Sequence, residues 1–188
     1  KYQASQNGNE WSQLISKLST PISKIQLEDI AKGRDFRVVV TGVGGSGITT
    51  ISRVLAEAAL KMRSDIDFKF FDQKGLAQRN GNVTGHLSFF AKGKSHAPTN
   101  HQKSCDLLLS TDLLDGSQHV GFLSDQGHLV LDGQFQVPLS ILLDREDQSE
   151  AITADVLGHE VKKTFQDRAH LISFKKASEK HLGRSIYS

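Results

Sequence analysis

A glycine-rich turn between an apolar run and a helix is the feature that most constrains how this chain can fold. The apolar run at residues 36–40 leads directly into the segment Thr41-Gly42-Val43-Gly44-Gly45-Ser46-Gly47-Ile48-Thr49. Glycine permits a tight turn, and a helix that starts at such a turn can present backbone N–H groups to an anion. The sequence therefore predicts a strand, a turn and a helix, with an anion site at the turn. The residues expected to line that site are Gly42, Gly44, Gly45, Ser46, Gly47 and Thr49.

Predicted strands and helices alternate along the middle of the chain. The predicted strands cover 36–41, 68–72, 83–90, 105–110, 127–132 and 170–174, and the predicted helices cover 10–18, 22–32, 46–62, 112–123, 152–166 and 175–182. Gly33 is the expected stop of the second helix, and Asp112 is an expected N-cap. The alternation favours a parallel α/β sheet. We expect three parts: an N-terminal helical extension (1–35), a core domain (36–145), and a C-terminal helical extension (146–188) that belongs to the same domain or begins the next.

Apolar periodicity assigns faces to two of these elements. The helix at 46–62 is expected to pack on the sheet through Ile48, Ile51, Leu55, Ala58 and Met62. In the strand at 83–90, alternation places Val83, Gly85, Leu87 and Phe89 on one face and Thr84, His86, Ser88 and Phe90 on the other. His86 therefore lies on a polar face, where a surface or interface role is favoured over catalysis.

Composition excludes several classes of protein. The chain of 188 residues has a single cysteine, Cys105, so it can form neither an internal disulfide framework nor a cysteine-ligated iron–sulfur cluster. Cys105 opens an apolar run, which predicts a buried and inert thiol. A net charge of +2 with scattered basic residues argues against a nucleic-acid partner, and no apolar run is long enough to span a membrane. His96 and His101 lack metal-ligand spacing. We expect a cytoplasmic protein, and a piece of a longer polypeptide.

The first glycine segment has three interpretations. Gly42, Gly44 and Gly47 match the dinucleotide motif G-x-G-x-x-G, and Asp72 follows a predicted strand where a ribose-binding acid would lie. The same segment has P-loop spacing, but Ile48 replaces the lysine that binds phosphate. Finally, the glycines can serve only to let the helix start close against the sheet.

A second glycine segment is far less generic. It reads Gly75-Leu76-Ala77-Gln78-Arg79-Asn80-Gly81-Asn82-Val83-Thr84-Gly85-His86. The expected loop pivots at Gly75 and Gly81, and Arg79 can grip a carboxylate or phosphate with its guanidinium fork. Its predicted contacts to a partner or ligand come from Gly75, Gln78, Arg79, Asn80, Gly81 and His86. The alternative is an exposed hinge whose polar groups satisfy only the local backbone.

Taken together, these segments resemble the gamma domain of 2-oxoacid:ferredoxin oxidoreductases. The resemblance rests on residues 42–47, 75–81 and 83–86, and on Cys105-Asp106-Leu107-Leu108-Leu109 followed by Asp112. It spans residues 36–143 and is most similar to the long, fused indolepyruvate type. The loop pattern at 75–81 is its most specific part.

The resemblance implies a three-layer α/β/α, Rossmann-like domain with a mostly parallel sheet. The whole enzyme would decarboxylate a 2-oxoacid on thiamine diphosphate, pass electrons through 4Fe–4S clusters to ferredoxin, and join the acyl group to coenzyme A. This chain would carry no catalytic residue and no metal, and would dock on the thiamine-binding and iron–sulfur domains or subunits. The alternatives are an NAD-binding dehydrogenase that uses Gly42, Gly44, Gly47 and Asp72, and a regulatory domain that binds a nucleotide.

Overall fold

The fold is seen in a computed structural model that describes residues 30, 33–75, 81–94, 96–134 and 153–182. Its strands are β1 (Phe36–Val43), β2 (Ile66–Lys74), β3 (Asn82–Ala91), β4 (Cys105–Ser110), β5 (Leu123–Asp132) and β6 (Ala169–Ile172). Its α-helices are α1 (Ile48–Met62), α2 (Leu113–Gln118), α3 (Ala154–Phe165) and α4 (Phe174–Leu182). Short 3₁₀ turns at Val120–Phe122 and Gln166–Arg168 lead into β5 and β6.

The strands form one sheet in the order β2-β3-β1-β4-β5-β6. Parallel pairing joins β1 to β4, β4 to β5, and β5 to β6. Strand β3 runs antiparallel to both of its neighbours, β1 and β2. The connection from β2 to β3 is too short for the crossover that a parallel pair needs, so these two strands form a hairpin. The prediction of a mostly parallel sheet is confirmed, and β3 is the exception.

Helices cover both faces of this sheet and give it three layers. Alternation along β1 sends Val38 and Val40 into a core under α1, and Val39 into a second core on the opposite face. The second core includes Leu113 of α2 and Val161 of α3. The predicted α/β/α class is therefore confirmed, and β6 belongs to the same sheet as β1.

Most predicted elements are present, with shifted ends. Strand β4 has the predicted bounds, whereas β1 runs two residues further and takes Gly42 and Val43 out of the turn. The predicted helix at 112–123 is wrong beyond Gln118, because a 3₁₀ turn follows and Leu123 already belongs to β5. At the other end of the core, Gly33 has φ +101° and its N–H donates to the Ile30 carbonyl at 3.0 Å, as expected of a helix stop. The predicted helix at 10–18 lies outside the described residues, and so does the one at 22–32 except for Ile30.

Helix α1 packs through a slightly different stripe from the predicted one. Ala58 is exposed, and Met62 is 69% exposed, so these two assignments are wrong. The small residues Ser52 and Ala56 are buried in their place. Ser52 faces Gly85 of β3, where a β-carbon would lie 3.0 Å from the Ser52 hydroxyl oxygen. Small residues are favoured here because they let the helix approach the sheet closely, a condition that apolar periodicity does not encode.

No helix among the described residues is both long enough and apolar enough to cross a membrane.

The contact between α2 and the sheet predicts the effect of one substitution. A β-carbon on Gly116 would lie 2.6 Å from Leu131 Cδ2 and 2.7 Å from Ser110 Cβ. Gly116→Ala is expected to lower the free energy of unfolding by about 1–3 kcal/mol, although alanine is the better helix former. Urea denaturation measures the change. Gly121→Ala is the control, since its added methyl group meets open space; equal losses for both variants would contradict this packing.

Candidate functional site

The two glycine segments meet at the carboxyl end of β1. The Gly44 N–H donates to the Gly81 carbonyl at 2.7 Å, and the Gly75 N–H donates to the Asn82 carbonyl at 2.8 Å. A β-carbon on Gly44 would lie 3.0 Å from the Gly81 oxygen, so the approach depends on glycine. We call Gly44, Gly75, Gly81 and Asn82 the glycine junction. It joins the turn after β1 to both ends of the loop between β2 and β3.

The turn after β1 has the backbone that the glycines predict. Gly45 and Gly47 have φ values of +95° and +79°, in the left-handed region that favours glycine. Gly47 is the N-cap of α1. The Ser46 N–H donates to the Val43 carbonyl at 3.0 Å, and the Ser46 hydroxyl accepts from the Thr111 hydroxyl at 2.9 Å. The predicted turn is confirmed from residue 44 onwards, whereas Gly42 lies in β1.

The geometry of this turn is compatible with an anion. Gly44, Gly45, Gly47 and Thr49 are exposed, and the first turn of α1 contains no acidic side chain. By helix geometry the first backbone N–H groups of α1 have no acceptor within the helix, and the helix dipole favours negative charge there. The N–H groups of Gly44 and Ser46 are already engaged within the protein. These two N–H groups are therefore not among those that the turn offers to an anion.

The topology weighs against the two nucleotide interpretations of the turn. Ile48, which occupies the position of the P-loop lysine, is buried in the core. Strand β3 separates β2 from β1, so Asp72 lies about two strand spacings, or ~10 Å, from the strand that precedes the turn. Asp72 also pairs with Lys74 at 3.4 Å. A ribose held at the turn would be out of reach of this carboxylate.

A network of polar side chains lies beside the glycine junction and shares Asn82 with it. The carboxylate of Asp115, on α2, accepts from the Thr41 hydroxyl through one oxygen and from the Asn82 amide through the other. The Thr84 hydroxyl donates to the Asn82 amide oxygen at 3.0 Å and lies 3.2 Å from His119 Nε2. Asp115 is only 8% exposed, and burial raises the pKa of its carboxyl. The network thus ties β1, β3 and α2 together.

The network lies near the carboxyl end of β1, where the covering helices change from one face of the sheet to the other. Helix α1, which follows β1, packs on one face, and α2, which follows β4, packs on the other. Strands β1 and β4 are neighbours, and the carboxyl ends of two such strands are where open α/β sheets generally bind their ligands. Asp112 caps α2 there by accepting from the Asp115 N–H at 2.9 Å, which confirms its predicted role.

His86 is buried instead of exposed. It lies on the predicted polar face of β3, but it is only 3% exposed, so the expected surface role is wrong. The Asn100 N–H donates to His86 Nδ1 at 3.3 Å, and the Phe122 ring packs edge-on at 5.4 Å. Burial, with a smaller contribution from the charge of His119, lowers the pKa of His86. The imidazole is held neutral by its surroundings.

The other candidate residues include the cysteine and two histidines. Cys105 is fully buried, as predicted, and burial raises the pKa of its thiol to about 11. His96 Nδ1 lies 3.1 Å from an Asp35 oxygen, and His101 Nε2 lies 3.1 Å from an Arg37 nitrogen. Within the part of the chain that the structure describes, no group of three or more His, Cys, Asp or Glu side chains could hold a metal ion. Gln78, Arg79 and Asn80 lie outside the described residues.

Sequence reasoning missed the residues of the polar network. Thr84 lies on the polar face of the predicted strand at 83–90, Asn82 directly precedes that strand, and Asp115 follows the predicted N-cap by three positions. These signals indicated local structure only. Contact between these side chains depends on the register of β3 against β1 and on the placement of α2, which no local pattern encodes.

Comparisons with known proteins give this site a family context. A protein-family model described as pyruvate ferredoxin/flavodoxin oxidoreductase matches residues 37–176. Indolepyruvate oxidoreductase subunit IorB of Archaeoglobus fulgidus is 29% identical over 106 residues, which cover 56% of this chain and 50% of that protein. The subunit of the same name from Methanothermobacter thermautotrophicus is 27% identical over 108 residues, covering 57% and 53%. The chain thus spans about half the length of the curated relatives it matches.

A solved structure supports the fold. Pyruvate oxidoreductase subunit PORC from Thermotoga maritima matches with a TM-score of 0.50 and 16% sequence identity. The match covers 81% of this chain and 70% of that chain.

The lowered pKa of His86 predicts how stability responds to acid. Because the folded pKa lies below the ordinary value of 6.5, the unfolded chain binds this proton more readily, and stability is lost as pH falls below about 6.5. His86→Asn keeps an acceptor for the Asn100 N–H but cannot take up the proton. We expect a shallower decline in unfolding free energy between about pH 7 and pH 5. Urea denaturation across this range is the measurement, and an unchanged slope would show that His86 does not contribute.

Proposed function

The chain belongs to the pyruvate ferredoxin/flavodoxin oxidoreductase family, and from this premise we propose that it is the gamma domain or subunit of a thiamine diphosphate-dependent 2-oxoacid:ferredoxin oxidoreductase. The relatives named as indolepyruvate oxidoreductase subunits support an indolepyruvate-type substrate. The whole enzyme converts a 2-oxoacid to an acyl-coenzyme A and passes the electrons to ferredoxin in the cytoplasm. The chain is either a separate subunit or part of a fused polypeptide in this proposal.

The observation that carries the proposal is the family match over residues 37–176, which includes both glycine segments. These segments carry the sequence resemblance, and the Gly44–Gly81 hydrogen bond joins them at one edge of the sheet. Distant segments that meet in this way form a single surface feature. A loop with fixed ends is suited to contact a partner, because less conformational freedom is lost on binding.

The residues of this chain do not fit the redox cofactors of such an enzyme. Four cysteines hold a typical 4Fe–4S cluster, and this chain has only Cys105, which is buried. The segment Leu131-Asp132-Gly133 lacks a full thiamine diphosphate signature, and the Asp132 carboxylate accepts from the Gln134 N–H at 3.2 Å. The partner domains or subunits therefore supply thiamine diphosphate and the clusters, and this chain docks on them through the loop that joins β2 to β3; the buried His86 is not part of that surface.

The exposed turn at residues 44–47 suits a phosphate group of coenzyme A. The N–H groups at the start of α1 suit a phosphate, and coenzyme A carries several. We assign the turn at residues 44–47 to an anionic part of coenzyme A. The chemistry that coenzyme A supplies when bound is a thiol acceptor for the acyl group, and the role of this chain there is to bind and orient the anion.

The alternatives are a nicotinamide dehydrogenase and a nucleotide-binding regulatory domain. Both use the turn that begins α1, but the dehydrogenase also needs Asp72 close to it, which the strand order disfavours. Thermal-shift measurements with coenzyme A, NAD and ATP separate the three proposals. Stabilisation by NAD alone would favour the dehydrogenase, and stabilisation by ATP alone would favour regulation.

Docking through the loop predicts that Arg79 contributes to assembly. In the complete enzyme, Arg79→Ala is expected to weaken binding to the partner domains by about thirtyfold, the effect of losing a hot-spot arginine worth ~2 kcal/mol. Titration calorimetry or subunit exchange measures the affinity, and turnover of the 2-oxoacid is followed in parallel. Arg53→Ala is the control, because this side chain is 80% exposed on α1 and pairs only locally with Glu57. Unchanged affinity and turnover for Arg79→Ala would argue against docking through the loop.

A further inference from the structure

We propose that Asp115 is a positioning residue that, by binding Asn82, sets where the two ends of the docking loop lie relative to the turn after β1. This inference rests on the proposed role in docking of the loop that joins β2 to β3. Asp115 itself has no contact with a partner in this scheme. It acts through Asn82 and the backbone of the glycine junction.

The carboxylate of Asp115 bridges two strands. One oxygen accepts from Thr41, at the carboxyl end of β1, and the other accepts from Asn82, at the start of β3. Asp115 is itself fixed on α2, because its N–H donates to the Asp112 carboxylate at 2.9 Å. A short helix, a parallel strand and an antiparallel strand are thus joined through one side chain.

Asn82 connects Asp115 to the loop between β2 and β3. Its amide is used at both ends, since Nδ2 donates to Asp115 and Oδ1 accepts from the Thr84 hydroxyl. Its backbone carbonyl accepts from Gly75, where the loop begins, at 2.8 Å. The residue before it, Gly81, accepts from the Gly44 N–H. Fixing the Asn82 side chain therefore fixes both loop ends against the turn.

Stability alone does not account for a carboxylate at this place. Burying a charged group costs free energy, and an apolar or amide side chain in the same core could avoid that cost. Burial indeed raises the pKa of the Asp115 carboxyl, with the nearby Asp112 adding to the effect and the Thr41 hydrogen bond and His119 opposing it. What a carboxylate adds is two strong acceptors at a defined spacing, which hold donors from two strands in register.

Swapping the side chains of Asp115 and Asn82 tests the inference in the complete enzyme. Asn82→Asp places two carboxylates in contact and is expected to weaken partner binding about tenfold. Asp115→Asn is expected to have a smaller effect, because its amide oxygen can still accept from Asn82 while its NH2 group donates to the Thr41 hydroxyl. The double variant Asp115→Asn/Asn82→Asp restores a matched pair: the new amide donates to the new carboxylate, while acceptors for the Thr41 and Thr84 hydroxyls remain. Affinity and turnover are expected to recover in the double variant.

The pH dependence of the single variants adds a readout that simple loss of packing would not give. In Asn82→Asp the two adjacent carboxylates must share a proton, so partner binding is weakest at neutral pH and recovers in acid. The other titratable groups that face the pair are Asp112 and His119, and both are unchanged in every variant. The double variant has one carboxylate again, and its profile is expected to match that of the unmodified enzyme.

A matched control separates positioning from general stability. Ser88→Ala removes a buried hydrogen bond of 2.7 Å to the Asn100 amide, also on β3 but away from the junction. It is expected to lower stability and to leave partner binding unchanged. Hydrogen exchange of segments 41–47 and 81–86, measured on the same enzymes, is expected to be faster in both single variants and restored in the double variant.

Each outcome decides the inference. Failure of a folded double variant to restore binding or exchange would overturn it, and so would single variants without effect or an equal loss of binding in Ser88→Ala. When Arg79→Ala weakens binding and the single variants do not, positioning by Asp115 is wrong and docking stands. When Arg79→Ala has no effect, the docking role is wrong, and the exchange rates still show whether Asp115 holds the junction.

Discussion

The hydrogen bond from the Gly44 N–H to the Gly81 carbonyl is the contact on which the carboxyl edge of the sheet depends. It forms because Gly44 has no side chain, since a β-carbon would lie 3.0 Å from the accepting oxygen. Through this bond β3 stays beside β1 up to the last pair of their register, Val43 with Asn82. Because β3 pairs with β1 along its length, β2 is one position further out. The start of β3 and the adjacent Gly81 thus lie beside the turn, where a dinucleotide site would have the end of a neighbouring parallel strand and its acidic side chain.

The position of this contact follows from how the helices cover the sheet. Helix α1 covers the half built by β1, β2 and β3, and helices α2 and α3 cover the opposite face over β4 and β5. The change of side occurs between β1 and β4, and the polar network lies near the carboxyl end of β1, beside this change. A buried network at such a place must be satisfied by donors from several elements, as Thr41 and Asn82 satisfy Asp115. The network therefore fixes β1, β3 and α2 relative to one another.

The sequence predicts local structure well here and non-local contacts poorly. Strand β4 was predicted to the residue because a continuous apolar run ends in polar residues on both sides. The antiparallel hairpin of β2 and β3 was not predicted, although the short link between the two strands is too short for a parallel crossover. By contrast, the burial of His86 depends on Asn100 and Phe122, which come from segments with no pattern of their own. The role of Asp115 depends on strand register and helix placement together, so only the folded chain reveals it.

The states of the reactive side chains are consistent with a supporting role. Burial favours the thiol form of Cys105, with a pKa of about 11, and the neutral form of His86. Two groups that often act as nucleophile or base are thus held in their uncharged forms inside the core. Asp115 is the contrasting case, because both of its oxygens accept hydrogen bonds from side chains that shape the edge of the sheet. In this chain, polar side chains near the junction fix backbone positions at the carboxyl edge of the sheet, which is what the docking proposed above requires.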